Sequence, residues 1–230
     1  MAEAMRRAPT LSGPCWIVAH EQTAGRGRRG RAWTAGQGNL AATLVMQPEG
    51  TAAQAALRSF VAALALHEAL AQVLGTDAPL SLKWPNDVLL NGGKVAGILL
   101  ESTGTGQGVS HLAVGIGVNL RAAPPADAVE PRALRPVALA AETGLEIAPE
   151  AFLTHLAHAF DGQERRFATC GFGPVRAAWL DRATRLGEVI TARTAREETT
   201  GTFETVDEDG NLVLRTARGR VAIPAADVYF

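Results

Sequence analysis

The chain has 230 residues, 47% hydrophobic and 20% charged, with a formal net charge of −1. That is enough apolar material for one or two globular domains with a real core, and it argues against disorder and against bulk binding of nucleic acid. Two cysteines, Cys15 and Cys170, show neither metal spacing nor a pairing pattern, which points to a reducing compartment.

Residues 1–7 lack the apolar stretch of a signal peptide and read as the end of a helix stopped before Pro9. Residues 15–19 (CWIVA) predict a buried strand. Residues 25–30 literally match G-x-G-x-x-G, but a dinucleotide fingerprint must open a helix with small or apolar residues, and here the intervening positions are arginines. Glycine lets a backbone approach a ligand closely, and arginine offers a fixed set of donors for phosphate or carboxylate. A solvated basic loop or an RNA-binding patch with Trp33 alongside fits the same residues, although no second basic stripe follows. Residues 39–46 predict another strand. Thr51 caps a long helix with apolar spacing through Leu57, Val61, Leu64, Leu70 and Leu74, stopped at Gly75. His67 and Glu68 on that helix are expected at the surface, and the apolar run 59–66 is too short to span a bilayer.

Only two of the 22 Lys and Arg residues are lysine, Lys83 and Lys94, and both fall in residues 82–99, LKWPNDVLLNGGKVAGIL. Lysine is a compact point charge on a flexible stem, suited to a phosphate or carboxylate in a tight pocket. Pro85 biases Trp84 toward an extended backbone. Strands at 80–82 and 88–90, then a returning strand at 94–101 after the Asn91-Gly92-Gly93 turn, place Asn86, Asp87 and Lys94 in one hairpin. In the apolar strand at 109–120, Gly115 and Gly117 alternate with Ile116 and Val118, leaving one face without side chains for close approach by a ligand or another backbone. Residues 122–135 read as a loop and 137–143 as a short helix ended at Gly144. Residues 149–167 predict an amphipathic helix whose His155 and His158 have no evident third partner for a metal, and 173–182 a further helix with Trp179. From residue 186 the texture becomes that of a small β module, with strands at 187–193, 200–206, 211–216 and 220–223 and a turn at Asp209-Gly210.

GRGRRGRAW at 25–33, KWPND at 83–87, GKVAGIL at 93–99 and GIGVN at 115–119 together resemble the biotin protein ligases, in that family's order and over nearly the whole chain. The resemblance implies an α/β fold: a class II aminoacyl-tRNA synthetase-like catalytic domain with a mixed sheet at 1–185, then a small SH3-like β-barrel at 186–230. It implies an AMP-forming ligase that activates biotin with ATP to biotinyl-5′-AMP and transfers biotin to a lysine of a biotin carboxyl carrier protein domain, of acetyl-CoA carboxylase or another biotin-dependent carboxylase. By motif position, Lys94, Arg26 and Asp87 are the catalytic candidates. Gln22, Gly25, Arg26, Gly27, Arg28, Lys94, Gly97, Gly115 and Gly117 are candidates for biotin. Arg28, Arg31, Trp33, Asn39, Lys83, Asn86 and Asn119 are candidates for ATP and the adenylate, with Trp33 an aromatic wall on the nucleotide side. The implied small molecules are ATP, biotin as substrate, and Mg2+ bridging the phosphates, its protein ligands unassigned.

The loop at 25–31 is expected to stay mobile until an anion arrives, because its arginines repel one another. Lipoate ligases share the implied fold, but the arginine-rich loop matches the biotin enzymes better; a basic-loop nucleic-acid binder and a dinucleotide enzyme are the rival readings. The winged helix carried by some biotin ligases has no room before Cys15, so the expectation is a cytoplasmic enzyme without DNA or membrane partners, a homodimer being left open. Residues 2–13 look like the helix after the family's Ser/Thr biotin-binding segment, so that segment is expected upstream of Met1.

Overall fold

The computed structural model describes residues 1–33, 36–105, 108–130 and 132–230. Its helices are α1 (Ala2–Arg7), α2 (Ala52–Ala56), α3 (Arg58–Leu74), α4 (Leu139–Thr143), α5 (Pro149–Cys170) and α6 (Phe172–Leu180). The first six strands, β1 (Cys15–Val18), β2 (Leu40–Met46), β3 (Leu80–Lys83), β4 (Asp87–Leu90), β5 (Gly93–Thr103) and β6 (His111–Val118), form one sheet in the order β1-β2-β6-β5-β4-β3. All of its ladders are antiparallel. The parallel pairing of the expected mixed sheet is confined, among the described residues, to single bridges at Leu82–Ala183 and Lys94–Pro136.

The two-residue period of the strands sorts the sheet into two faces. Leu40, Ala42, Leu44 and Met46 of β2 and Leu112, Val114, Ile116 and Val118 of β6 join the main core with α3. The helix expected from Thr51 is interrupted: a capping box between Thr51 and Gln54 starts α2, and α3 begins after Leu57. Phe60 to Leu66 are all buried, because the sheet covers α3 on one side and α5 and α6 on the other. The segment Ala52–Leu74 is long and apolar enough to cross a bilayer by composition (hydropathy 1.3), yet 61% of its apolar 18-residue stretch is buried inside this core. His67 departs from the surface position expected of it. It is half-buried, and burial, aided by the charge of Arg182, pushes its pKa down to about 4. β1 is a half-buried edge strand rather than a buried one, since among the described residues it pairs only with β2.

The opposite face carries α1 and the short 3-10 turn after it, which pack Ala4 and Ala8 on Val45. The rest of that face is open to the site described below. The C-terminal strands β7 (Val189–Arg193), β8 (Glu198–Val206), β9 (Leu212–Thr216), β10 (Gly219–Ile223) and β11 (Asp227–Tyr229) form an antiparallel sheet ordered β10-β9-β8-β7-β11. β11 is a strand the sequence reading did not place. The edges of the expected barrel, β10 and β11, are not paired with each other. Ile190, Phe203, Leu212 and Val228 belong to the same apolar cluster as α3. The Trp84 indole N–H donates to the Gly210 carbonyl at 3.0 Å, tying the two sheets together at the base of the lysine hairpin.

Candidate active site

Registers across four ladders align one row of residues on the open face. Lys83 pairs with Asp87, Asp87 with Gly97, Gly97 with Gly117, and Gly117 with Ala41. The neighbouring row runs Leu99, Gly115, Thr43. The face therefore changes from charged at β3 and β4, to bare backbone at β5 and β6, to small side chains at β2. Above it lies a cavity of about 330 Å³, within the size range of small-molecule sites. The glycines are needed for room. A Cβ on Gly117 would come within 2.5 Å of the Trp33 indole, one on Gly115 within 2.6 Å of Met1 Sδ, and one on Gly97 within 3.3 Å of Trp33 and Lys94.

Lys94 reaches this face through a β-bulge. Val88 pairs with Ala96 but Leu89 pairs with Lys94, so Val95 is an extra residue. With regular pairing Lys94 would share the core-facing side of Ala96 and Ile98; the bulge turns it outward. Its Nζ lies 2.7 Å from Asp87 Oδ1 and 5.6 Å from the centre of the Trp33 ring. That Oδ1 makes no aligned hydrogen bond, so the contact is an ion pair, and most of the ammonium's donor capacity is left for a ligand. Lys83, like Lys94, is half-buried. Burial pushes its pKa down, the negative charge of Asp87 opposes this, and the positive charge of Lys94 adds to the depression. Asn86 donates to the Ile98 carbonyl at 2.6 Å and Asn119 to that of Val137 at 3.1 Å, so both hold the hairpin and its flank in place.

The arginine loop arches over the charged end. Arg26 bridges Ala32, Gly27 N–H donates to Arg31 O at 2.7 Å, and Trp33 N–H donates to Gly25 O at 3.0 Å. No helix opens at 25–30, only a short 3-10 turn over Arg28–Gly30. The arginines do not repel one another unopposed, as the sequence led us to expect. Asp227 of β11, 8% exposed, accepts from Arg29 at 2.8 Å and from Arg31 at 2.7 Å, and Arg28 stands 4.0 Å away. Burial alone would raise the Asp227 pKa; the hydrogen bond from Arg31 and the three guanidinium charges outweigh it and leave it lowered.

Most of the residues singled out from the sequence therefore converge on one cavity: Gln22, Arg26, Gly27, Arg28, Arg31 and Trp33 from the loop, Lys83, Asn86, Asp87, Lys94 and Gly97 from the hairpin, Gly115 and Gly117 from β6 and Asn119 just after it. Two lie outside its lining. Gly25 is required by the loop, where a Cβ would meet Trp33 O at 2.2 Å. Asn39 has a structural part: it donates to Ala122 O and accepts from the amides of Arg121 and Ala122, which uses its oxygen and one of its two N–H donors. Arg26 stands at the rim, its side chain 56% exposed, 3.6 Å from Glu101. Trp33 lies over the bare glycines rather than to one side of them. Thr43, Asp227 and Tyr229 line the cavity without having been foreseen. A hydroxyl in an apolar strand and an acid in the apolar segment 225–230 were the available signals. Among the described residues no group of three or more His, Cys, Asp or Glu is arranged to hold a metal.

Comparison with known proteins bears on what this site handles. The sequence model of the biotin/lipoate A/B protein ligase family matches residues 3–119, and that of the biotin protein ligase C-terminal domain matches residues 186–230. A biotin–[acetyl-CoA-carboxylase] ligase of Paracoccus denitrificans is 58% identical over 229 residues, covering 100% of this chain and 95% of that protein. The bifunctional ligase/repressor BirA of Bacillus subtilis is 31% identical over 92% of this chain, which spans only 65% of that longer protein. Among solved structures, the biotin protein ligase of Aquifex aeolicus in complex with biotin and ATP superposes with a TM-score of 0.80 at 26% identity, covering 98% of this chain and 92% of that one.

Proposed function

The chain belongs to the biotin/lipoate A/B protein ligase family, and from that premise we infer that it is a biotin–[acetyl-CoA-carboxylase] ligase, using ATP to activate biotin and to modify a carrier lysine. The observation that carries the reading is the polarity of the cavity floor: Lys83 and Asp87 on β3 and β4 with Lys94 at the start of β5, then the bare glycines Gly97, Gly115 and Gly117 further along β5 and on β6. A substrate with an acidic end and a compact ring system fits that gradient in one direction only.

In the first step a biotin carboxylate oxygen attacks the α-phosphorus of ATP, the P–O bond to pyrophosphate breaks, and biotinyl-5′-AMP remains. Both reactants are anions, so the step needs fixed cations where charge builds up. Lys94 serves the carboxylate and the α-phosphate. Lys83, Arg28 and Arg31 serve the phosphates, and Arg26 closes from the rim. Gln22 Oε1 is a buried acceptor with no partner in the protein; a ureido N–H of biotin would satisfy it, removing a penalty of about 1–3 kcal/mol. Gly27, Gly97, Gly115 and Gly117 give the ring system its room. In the second step the carrier amine attacks the mixed anhydride carbonyl, AMP departs, and the amine proton passes to Asp87, which also orients the nucleophile. Asn86 and Asn119 hold this geometry through their backbone contacts, and Trp33 flanks the adenylate.

Mg2+ belongs to the same proposal. The residues present fit a phosphate-held ion, with Asp87 as the carboxylate at the lysine end of the cavity, rather than a protein cage. Such an ion would supply charge neutralisation at the phosphates. We divide the chain at residue 185 into a catalytic domain and a C-terminal domain, and place the enzyme in the cytoplasm, where its free thiols, Cys15 and Cys170, fit a reducing setting. The unpaired edge of β1 leaves room for a homodimer. DNA and membrane form no part of the proposal.

The test is labelling of a biotin carboxyl carrier domain. Label is expected only with biotin, ATP and Mg2+ together. Equal transfer of lipoate would shift the reading to the lipoate branch, and retention on heparin with no biotin-dependent ATP–pyrophosphate exchange would replace it with nucleic-acid binding.

A further inference from the structure

The row Leu99, Gly115, Thr43 ends on a hydroxyl that packing does not call for. On the open face of β2, Val45 lies against α1 beside Ile17 of β1, and Thr43 carries that face on toward Gly115. Valine branches as threonine does and would fill the same place, whereas a hydroxyl there has to be taken out of water. Thr43 is 6% exposed and lines the cavity. The buried Asn39, Arg58, Asn119 and Asp227 each hold a backbone or side-chain group elsewhere in the fold. The Thr43 hydroxyl holds none in either sheet. Among the described residues it accepts from the Met1 α-amino group at 3.3 Å and faces Met1 Sδ at 3.7 Å as a weak donor. A hydroxyl has one donor and two acceptor sites, so one acceptor site is left in the cavity wall.

We propose that Thr43 is a specificity residue: its Oγ1 accepts a ring N–H of a cyclic urea whose acid arm runs to Lys94, and it thereby favours biotin over acids whose ring carries no N–H. The proposal rests on the ligase reading above. Only β6 stands between the strand of Thr43 and that of Lys94, a span of about 10 Å in the hydrogen-bonding direction. The pentanoate arm of biotin carries its ring about that far from the carboxylate. Lipoate has the same arm and a compact ring, so neither the lysines nor the bare glycines separate the two acids. The ureido ring does, because it has an N–H on each side. Gln22 Oε1, in the same lining, takes one of them, and Thr43 takes the other. The dithiolane of lipoate offers neither and leaves both acceptors unpaired. A site built to receive a hydrogen bond rejects an analogue that lacks it more strongly than an apolar wall can.

Calorimetric titration with biotin and, separately, with lipoate tests this. Thr43→Val is expected to bind biotin about 10-fold more weakly and lipoate no worse than the unaltered protein does. Thr43→Ser keeps the hydroxyl and should restore most of the biotin affinity. In pyrophosphate exchange, Thr43→Val should raise the KM for biotin by about the same 10-fold and leave kcat and the KM for ATP in place, as loss of a contact equal in ground and transition states does. Thr43→Ala carries the test if the valine variant fails to fold. Unchanged biotin affinity in Thr43→Val would overturn the proposal. An equal loss for biotin and lipoate, or a serine variant as weak as the valine one, would overturn it too, because Thr43 would then set the shape of the pocket and not its hydrogen bonding. If the unaltered protein binds no biotin, the ligase reading falls and takes the proposal with it. If it binds biotin and labels the carrier domain while Thr43→Val binds equally well, only the role of Thr43 falls.

Discussion

Lys94 sits where reach matters more than charge. Its Nζ is 2.7 Å from Asp87 Oδ1 and close to the Trp33 ring, so a longer, planar guanidinium cannot take the same place. Lys94→Arg should therefore lose about 100-fold in adenylate formation, as expected for a catalytic group displaced by a fraction of its length. Pyrophosphate exchange measures this, and a rate near that of the unaltered enzyme would show that charge alone suffices. Gly117 makes the complementary case. A methyl group there would come within 2.5 Å of the indole, and the position has no positive φ to forbid alanine on backbone grounds. Gly117→Ala should fold and yet bind biotin about 10-fold more weakly, a cost of about 1.4 kcal/mol. Unchanged affinity by calorimetry would mean that ligand and indole do not share the glycine floor.

At the scale of elements, what the sequence made legible and what it hid follow from range. The Arg-Gly loop, the lysine hairpin and the glycines of β6 are local patterns, and each was readable from its own residues. The bulge at Val95 was not, because a strand's extra residue exists only relative to its partner. β11 was hidden for the same reason: three residues after a proline become a strand only because β7 lies beside them. Helix α3 shows how burial overrides a polar label. A surface position was expected for His67, but its folded-state pKa is about 4 against an ordinary 6.5, so it is held neutral. Between those two values the unfolded chain binds a proton that the folded chain refuses, so stability falls as pH drops from 6.5 toward 4. After allowance for partial exposure the loss is about 1–3 kcal/mol. His67→Gln should remove that part of the slope, which melting temperatures at neutral and mildly acidic pH would reveal. Parallel curves for the two proteins would exclude His67 as the cause.

The whole molecule is built so that its two sheets stabilise one another. Ile190, Phe203 and Val228 share a core with Phe60 and Leu82, and Gly210 abuts Leu57 and Phe60 closely enough that a Cβ would approach both to 3.0 Å. Calorimetry should accordingly show a single unfolding transition with matching calorimetric and van't Hoff enthalpies, whereas two resolved transitions would mark the C-terminal sheet as an independent unit. The same union sets an order in time. Arg31 and Asp227 are joined directly although 196 residues separate them. A ribosome adding roughly 5–20 residues per second needs about 10–40 s to travel from one to the other. Through that interval the nascent chain carries its arginines without their counter-charge, and a product cut short before β11 keeps them so permanently. The site is among the last parts of the protein to be finished, although its most basic segment is among the first to be made.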